Sequence, residues 1–152
     1  MNSSIFFSNQ KLMKREKIGG VYGIGMVGYI PIFPNKKSIL YIGKAVDIWR
    51  RVMYQHFCLE SNRYSTTSPM RNICNYDNLH KFFFVPLYYS DDDKKRTLYE
   101  FELIAKYKPR LNSPYSLLTD KEYWKLKKNE ENAIILNPDL ENLINIKDFK
   151  EI

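Results

Sequence analysis

Two short runs of β-forming residues, Val21 to Ile30 and Ser38 to Ile42, are separated by Pro31, Pro34 and Asn35-Lys36-Lys37. β-Branched and aromatic side chains favour strands, and a break rich in proline and asparagine turns the chain back on itself. The pair predicts an antiparallel hairpin. Each run carries a tyrosine near a glycine, in Gly20-Val21-Tyr22 and Tyr41-Ile42-Gly43. Glycines at 23, 25 and 28 predict an irregular, bulged first strand. A phosphate-cradling loop is a poor reading of them, because that loop requires strand, glycine turn and helix in order.

Straight after the hairpin, Asp47 is placed to cap a helix running to about Leu59. At 100° per residue Ile48, Val52 and Leu59 share the core face, with Arg51 and Gln55 on its flank. His56 follows Arg51 by five residues, about 140° round an ideal helix, so the two are not expected to converge. Asn62 to Pro69 reads as a polar loop and Met70 to Leu79 as a short helix. Lys81 to Tyr89 is a third strand, in which Pro86 implies an edge or a bulge. Ser90-Asp91-Asp92-Asp93 caps a helix from Lys94 to about Tyr107, with Leu98, Phe101, Ile104 and Ala105 on one face and Pro109 ending it.

Residues 1–17 form either a loose basic arm or one short helix. Beyond residue 118 the character shifts: a charged helical stretch over 120–129, a short apolar run over 133–136 and a small amphipathic helix over 138–149. The expected organisation is an arm (1–17), one α+β domain (18–118) and a helical extension packed on it (119–152). A length of 152 residues supports a single core.

Charge is unevenly spread along this chain. Eighteen of its 24 basic residues but only nine of its 17 acidic ones lie in residues 1–118. A body that basic suits a polyanionic partner, since lysines and arginines that neutralise phosphates release counterions. No run reaches the roughly 18 apolar residues of a membrane span, and Ile5-Phe6-Phe7 is too short for a signal peptide, so a cytoplasmic protein without a membrane partner is expected. Two cysteines, Cys58 and Cys74, build no disulfide framework. With His56 and His80 they match no common zinc-ligand spacing.

Hydrolysis of a phosphodiester needs an attacking water, a proton acceptor and positive charge at the pentacovalent phosphate. Tyrosine can relay a proton, arginine can grip two phosphate oxygens and a carboxylate can hold Mg²⁺. Tyr22, Tyr41, Lys44, Arg51 and Glu100 are the candidates. Their arrangement resembles the GIY-YIG nuclease family: Gly20-Val21-Tyr22 stands for the first motif and Tyr41-Ile42-Gly43 for the second. Lys44-Ala45 follows as in the excision-repair nuclease branch, and Arg51 lies eight residues after Gly43. Glu100, Leu103-Ile104, Tyr107, Pro109 and Asn112 match the family's glutamate helix and the segment after it. The resemblance spans residues 18–115.

It implies a three-stranded antiparallel sheet flanked by helices, with a single divalent cation, Mg²⁺ or Mn²⁺, on Glu100. Arg51 would steady the scissile phosphate, and Tyr22, Tyr41 and Lys44 would orient or deprotonate the water. Gly43 and Asn112 would support the site. Glu102, the local rival for the metal, has the wrong spacing to Pro109 and Asn112. The hairpin is longer than the family's usual one, which leaves room for a substrate-reading loop. Where the family often has His or Tyr, four residues after the arginine, this chain has Gln55, which is no base. Tyr22 is therefore the preferred base, and His56 joins the candidates only if the helix is locally distorted. The expected function is metal-dependent endonucleolytic hydrolysis of double-stranded DNA, with a homodimer if both strands are cut. A binding module with lapsed catalysis and an RNA-cutting nuclease are the alternatives. Lys36, Lys37, Arg50 and Arg63 are candidate nucleic-acid contacts.

Overall fold

A computed structural model of the chain describes residues 3–57, 73–74, 77–112 and 144–146. Its centre is the expected hairpin, β1 (Gly20–Val27) and β2 (Lys37–Ala45), antiparallel, with Tyr22 opposite Gly43 and Ile24 opposite Tyr41. The register slips between Ile24 and Gly25, so Leu40 is the extra residue on β2. Gly25 is required at that bulge. A Cβ there would fall 2.3 Å from the Ser38 carbonyl oxygen and 2.4 Å from the Phe83 ring.

β3 (Phe82–Tyr89) pairs antiparallel with the other side of β1, and its own bulge makes Leu87 the extra residue next to Pro86. The bulge expected of Pro86 is there. A fourth strand was not expected: β4 (Ile144–Asn145) pairs with Phe83 and Phe84, completing the order β2-β1-β3-β4. At these two residues the helix anticipated over 138–149 is replaced by strand pairing. The free edge of a strand as apolar as Phe82-Phe83-Phe84 is a strong template for another strand. The residue after β4, Ile146, is helical and fully buried in the core, while the remainder of 138–149, the stretches 120–129 and 133–136 and the loop 62–69 lie outside the described residues.

Helices cover both faces of the sheet. On one face, α1 (Ser3–Met13) brings Leu12 onto Tyr22, Ile24, Phe82 and Phe84. The N-terminal segment is thus the short helix of the two readings, anchored through a fully buried leucine. α2 (Ile48–Arg50) adds Ile48 to the same core, and a π-helical continuation, Arg51–His56, adds Val52 and Met53. Asp47 caps α2 as expected, accepting from the Arg50 amide at 3.2 Å. On the other face α3 (Asp93–Tyr107) packs Tyr99 and Leu103 against Val21, Ile42, Val85 and Leu87. Asp92 caps α3 through the amides of Lys94 and Lys95. Lys108 closes it in the left-handed conformation at φ 47° ahead of Pro109.

The inward stripe of α3 follows its apolar residues only in part: Leu98 is buried and Ile104 packs half-buried against the core, as expected. Ala105 is exposed and Phe101 half-buried, while Arg96, Tyr99, Glu100 and Leu103 are buried. The helix turns two charged side chains inward because both find partners there: the Arg96 guanidinium donates to the Ser90 carbonyl at 3.0 Å, and the Lys44 amide donates to the Glu100 carboxylate. Among the described residues no helix is long and apolar enough to cross a membrane.

Among the described residues β2 has no strand on its outer side, and the segment after α3 takes up its edge instead. The Leu111 amide donates to the Leu40 carbonyl at 2.8 Å. The Asn112 side chain grips Ile42 twice, accepting from its amide and donating to its carbonyl, each at 2.8 Å. Asn112→Ala leaves both Ile42 groups unpaired beside Tyr41 and Gly43. Unfolding by denaturant is expected to show a loss of about 2 kcal/mol, two neutral hydrogen bonds' worth. A loss near zero would mean that water replaces the asparagine at this edge.

Candidate active site

Alternation along the hairpin puts Tyr22 and Tyr41 on the α2 face of the sheet and Lys44 on the α3 face. Between the tyrosines lies Gly43, and its missing side chain is what lets them close up. A Cβ at 43 would sit 2.7 Å from the Tyr22 hydroxyl and 2.9 Å from the Tyr41 ring. Tyr22 lies over that gap with its ring centroid 6.5 Å from that of Tyr41.

The third ring of the cluster is His56. Its Nε2 lies 2.9 Å from the Tyr22 hydroxyl, and its centroid is 5.9 Å from Tyr22 and 5.2 Å from Tyr41. This corrects the expectation that a helix starting at Asp47 carries His56 away from the site. From Arg51 onward the helix is π, not α: the Phe57 amide donates to the Val52 carbonyl, five residues back, at 3.1 Å. A π turn closes i→i+5 hydrogen bonds, so residues five apart stack where an α-helix would bring residues four apart. The surplus residue between Arg51 and His56 is absorbed by widening one turn. Tyr22 is therefore not a lone base candidate; it is half of a hydrogen-bonded pair.

Burial sets the protonation of this pair. Loss of solvent, with the neighbouring Arg51 charge second, lowers the His56 imidazole to about 4, so it is neutral at ordinary pH. Burial also raises the Tyr22 phenol well above its usual value; the Tyr41 and Glu100 charges add to the rise and Arg51 opposes it. Tyr41 is raised in the same way, by burial first and Glu100 second. A protonated phenol facing a neutral imidazole donates to Nε2 when the imidazole proton is on Nδ1.

Glu100 enters from α3 and is 7% exposed. Burial pushes its carboxyl upward, while the Lys44 ammonium, the Lys44 amide and the Arg51 guanidinium pull it down. It is the carboxylate whose charge reaches both tyrosines. Glu102, its rival, is half-buried and does not bear on them.

Lys44 serves differently from expectation. Its ammonium donates to the Thr97 hydroxyl at 2.5 Å and lies 3.7 Å from Asp93, so it is tied to α3. There its charge lowers the Glu100 carboxyl, and Thr97 is a partner that no motif announced. Arg51 is exposed on the helix surface, and its charge acts on Tyr22, Tyr41, His56 and Glu100 together. Of the candidate nucleic-acid contacts, Lys36, Lys37 and Arg50 are exposed and Arg63 lies outside the described residues.

A buried carboxylate whose dominant perturbation is desolvation, with hard oxygen donors and a cationic rim, suits a divalent cation such as Mg²⁺ that keeps most of its own waters. Among the described residues there is no cluster of three or more His, Cys, Asp or Glu.

Two outcomes follow from the π turn and the buried imidazole. Deleting Gln55 reduces the Arg51-to-His56 spacing to four and permits a plain α-helix. The shortened chain is expected to keep the buried His56 signal by NMR, whereas inserting an alanine after Tyr54 should lose it. His56 also links stability to pH. The unfolded chain takes up a proton near 6.5 and the fold only near 4, so stability is complete above 6.5 and is lost as pH falls through that window. Glu100, raised by burial, works in the opposite sense. The unfolding free energy of the wild type relative to His56→Gln should fall by about 3 kcal/mol between neutral pH and pH 4. A constant difference would mean that the imidazole is solvated. Compared with family models, with curated proteins and with solved structures, the chain has no match in any of the three.

Proposed function

We propose that this chain is a metal-dependent endonuclease of the GIY-YIG kind, hydrolysing phosphodiester bonds in double-stranded DNA. The observation that carries the reading is the contact of Tyr22 with His56, beside Tyr41 and within the fields of Arg51 and Glu100. Four separate elements contribute these groups, and an ordinary core has no use for a desolvated histidine, carboxylate and phenol side by side.

In this reading a water held against the Tyr22 hydroxyl gives up its proton as it attacks phosphorus. The phenol takes that proton and passes its own to His56 Nε2, so no free phenolate is needed despite the raised phenol. The new oxygen–phosphorus bond forms as the bond to the leaving sugar oxygen breaks. Arg51, exposed and fork-shaped, grips the non-bridging oxygens, on which charge builds. Glu100 would hold the divalent cation, Mg²⁺ or Mn²⁺, whose charge offsets that on the phosphate and the leaving oxygen. Lys44 and Thr97 keep the Glu100 helix against β2.

The rival reading, a binding module with lapsed catalysis, drew its support from Gln55 standing where a base was expected. With His56 against Tyr22 that support is gone. One such site cuts one strand, so a double-strand break calls for two encounters or for a homodimer.

The test is nicking of supercoiled plasmid, with single-stranded RNA in parallel, in Mg²⁺ or in chelator. Metal-dependent nicking is expected, and Glu100→Ala should lower it on the order of 100-fold or more. Arg51→Ala should reduce the rate by a similar factor while DNA affinity changes only a few-fold, because its charge is needed most in the transition state. Binding without cutting of either nucleic acid would sink the enzyme reading; cutting of RNA alone would change the substrate.

A further inference from the structure

The turn between β1 and β2 is longer than a hairpin needs, and two of the five exposed large apolar side chains among the described residues sit side by side on it. Ile32 is 78% exposed and Phe33 53%. The turn is nonetheless built rather than loose. Gly28 takes φ +73° to start it, its amide donating to the Lys36 carbonyl at 2.9 Å. Inside, the Phe33 amide donates to the Ile30 carbonyl and the Lys36 amide to the Phe33 carbonyl, at 2.9 and 3.1 Å. Ile32 and Phe33 are thus held outward at the tip by a hydrogen-bonded frame and by Pro31 and Pro34.

Cations accompany the aromatic rings. The Lys36 ammonium lies 5.8 Å from the Phe33 ring centre, and the Arg110 guanidinium lies 5.8 Å from that of Tyr29. Lys37 is exposed beside them, and residues 28–37 contain no acidic side chain. An outward apolar tip with a basic collar matches a wedge that enters a nucleic-acid groove and partly unstacks a base step while its cations hold the phosphates.

Position supports this over a general sticky patch. Gly28 is four residues beyond Ile24, the partner of Tyr41, on the same strand as Tyr22. At about 3.4 Å per strand residue the turn begins roughly 14–20 Å from the site and its tip lies beyond that, so the tip is at least about four to six base steps away along a duplex.

We propose that Ile32 and Phe33 form a wedge that enters double-stranded DNA at least about four to six base pairs from the bond that the site attacks, with Lys36, Lys37 and Arg110 on the flanking phosphates. This rests on the nuclease reading for its substrate and extends it to where that substrate is gripped and bent.

The experiment is binding of a labelled mixed-sequence duplex by fluorescence anisotropy, in chelator to prevent cutting, across a salt series. The proteins are the wild type, Ile32→Ser/Phe33→Ser and Lys36→Ser/Lys37→Ser, with thermal melting as the control for folding. The apolar double variant is expected to bind at least about ten-fold more weakly with its salt slope unchanged, as removal of a wedge requires. The lysine double variant should lose about two units of that slope, one for each phosphate released. Unchanged affinity in both variants overturns the proposal. So does a shift of the apolar variant from dimer to monomer in sedimentation, or binding of the wild type to anionic vesicles and not to the duplex. Failure of the nuclease reading is separate: loop variants that lose duplex binding, in a protein that never cuts, would leave the wedge standing and remove the chemistry.

Discussion

The hydrogen bond between the Tyr22 hydroxyl and His56 Nε2 joins a central strand to a helix 34 residues away, and much of the site's geometry exists to permit it. Gly43 leaves space for the phenol, since any larger residue would put a Cβ 2.7 Å from the hydroxyl. The π turn rotates the imidazole inward. Asn112 holds β2 at Ile42, between Tyr41 and Gly43, so the strand that shapes the gap cannot drift from its neighbour. Each device is minor alone. Together they fix two polar rings in a place where solvent no longer competes for them.

That desolvation gives the cluster its electrical character. Burial depresses the imidazole and raises both phenols and the carboxyl, so each group is driven toward its neutral form. Arg51 opposes the shift at Tyr22, Tyr41 and Glu100 but reinforces it at His56. A cation at the rim thus favours anionic oxygen and disfavours a second cation. A phosphodiester, which arrives with its own charge, fits that asymmetry better than a neutral substrate would.

The hairpin, the third strand and the capped helix that carries Glu100 could be read from the sequence, because each rests on local signals: turn residues, β-branched runs, an acidic cap, a terminating proline. Tyr22, Tyr41, Arg51, Glu100 and Asn112 are singled out together only through the family resemblance. Three features could not be read in either way. The fourth strand depends on pairing between residues some 60 apart, Phe84 with Ile144, which no local pattern encodes. The inward turn of Arg96 and Glu100 on α3 reflects partners that exist only once the chain is folded. The π turn had a trace, a histidine one position late after the arginine, but ideal helix geometry argues against using it. Glu100 and Lys44 carry separate expectations, the metal and the water; the Lys44 amide and Thr97, which tie Lys44 to the Glu100 helix, are partners that only the folded chain supplies.

The late histidine carries a more general lesson about how such a site tolerates change. A residue gained in the middle of a helix would, if the helix stayed α, rotate everything after it by about 100° and remove His56 from Tyr22. A π turn confines the surplus to one widened turn, at the cost of poorer hydrogen-bond geometry. That cost persists only if something outweighs it. Val52 and Phe57, at either end of the turn, are both fully buried in the core beneath the sheet, so unwinding the turn would expose them as well as release His56. Packing therefore holds the turn in place, and the hydrogen bond between Tyr22 and His56 depends on it. The position most at odds with helix regularity is also the one that completes the cluster, as expected where a functional requirement overrides local preference.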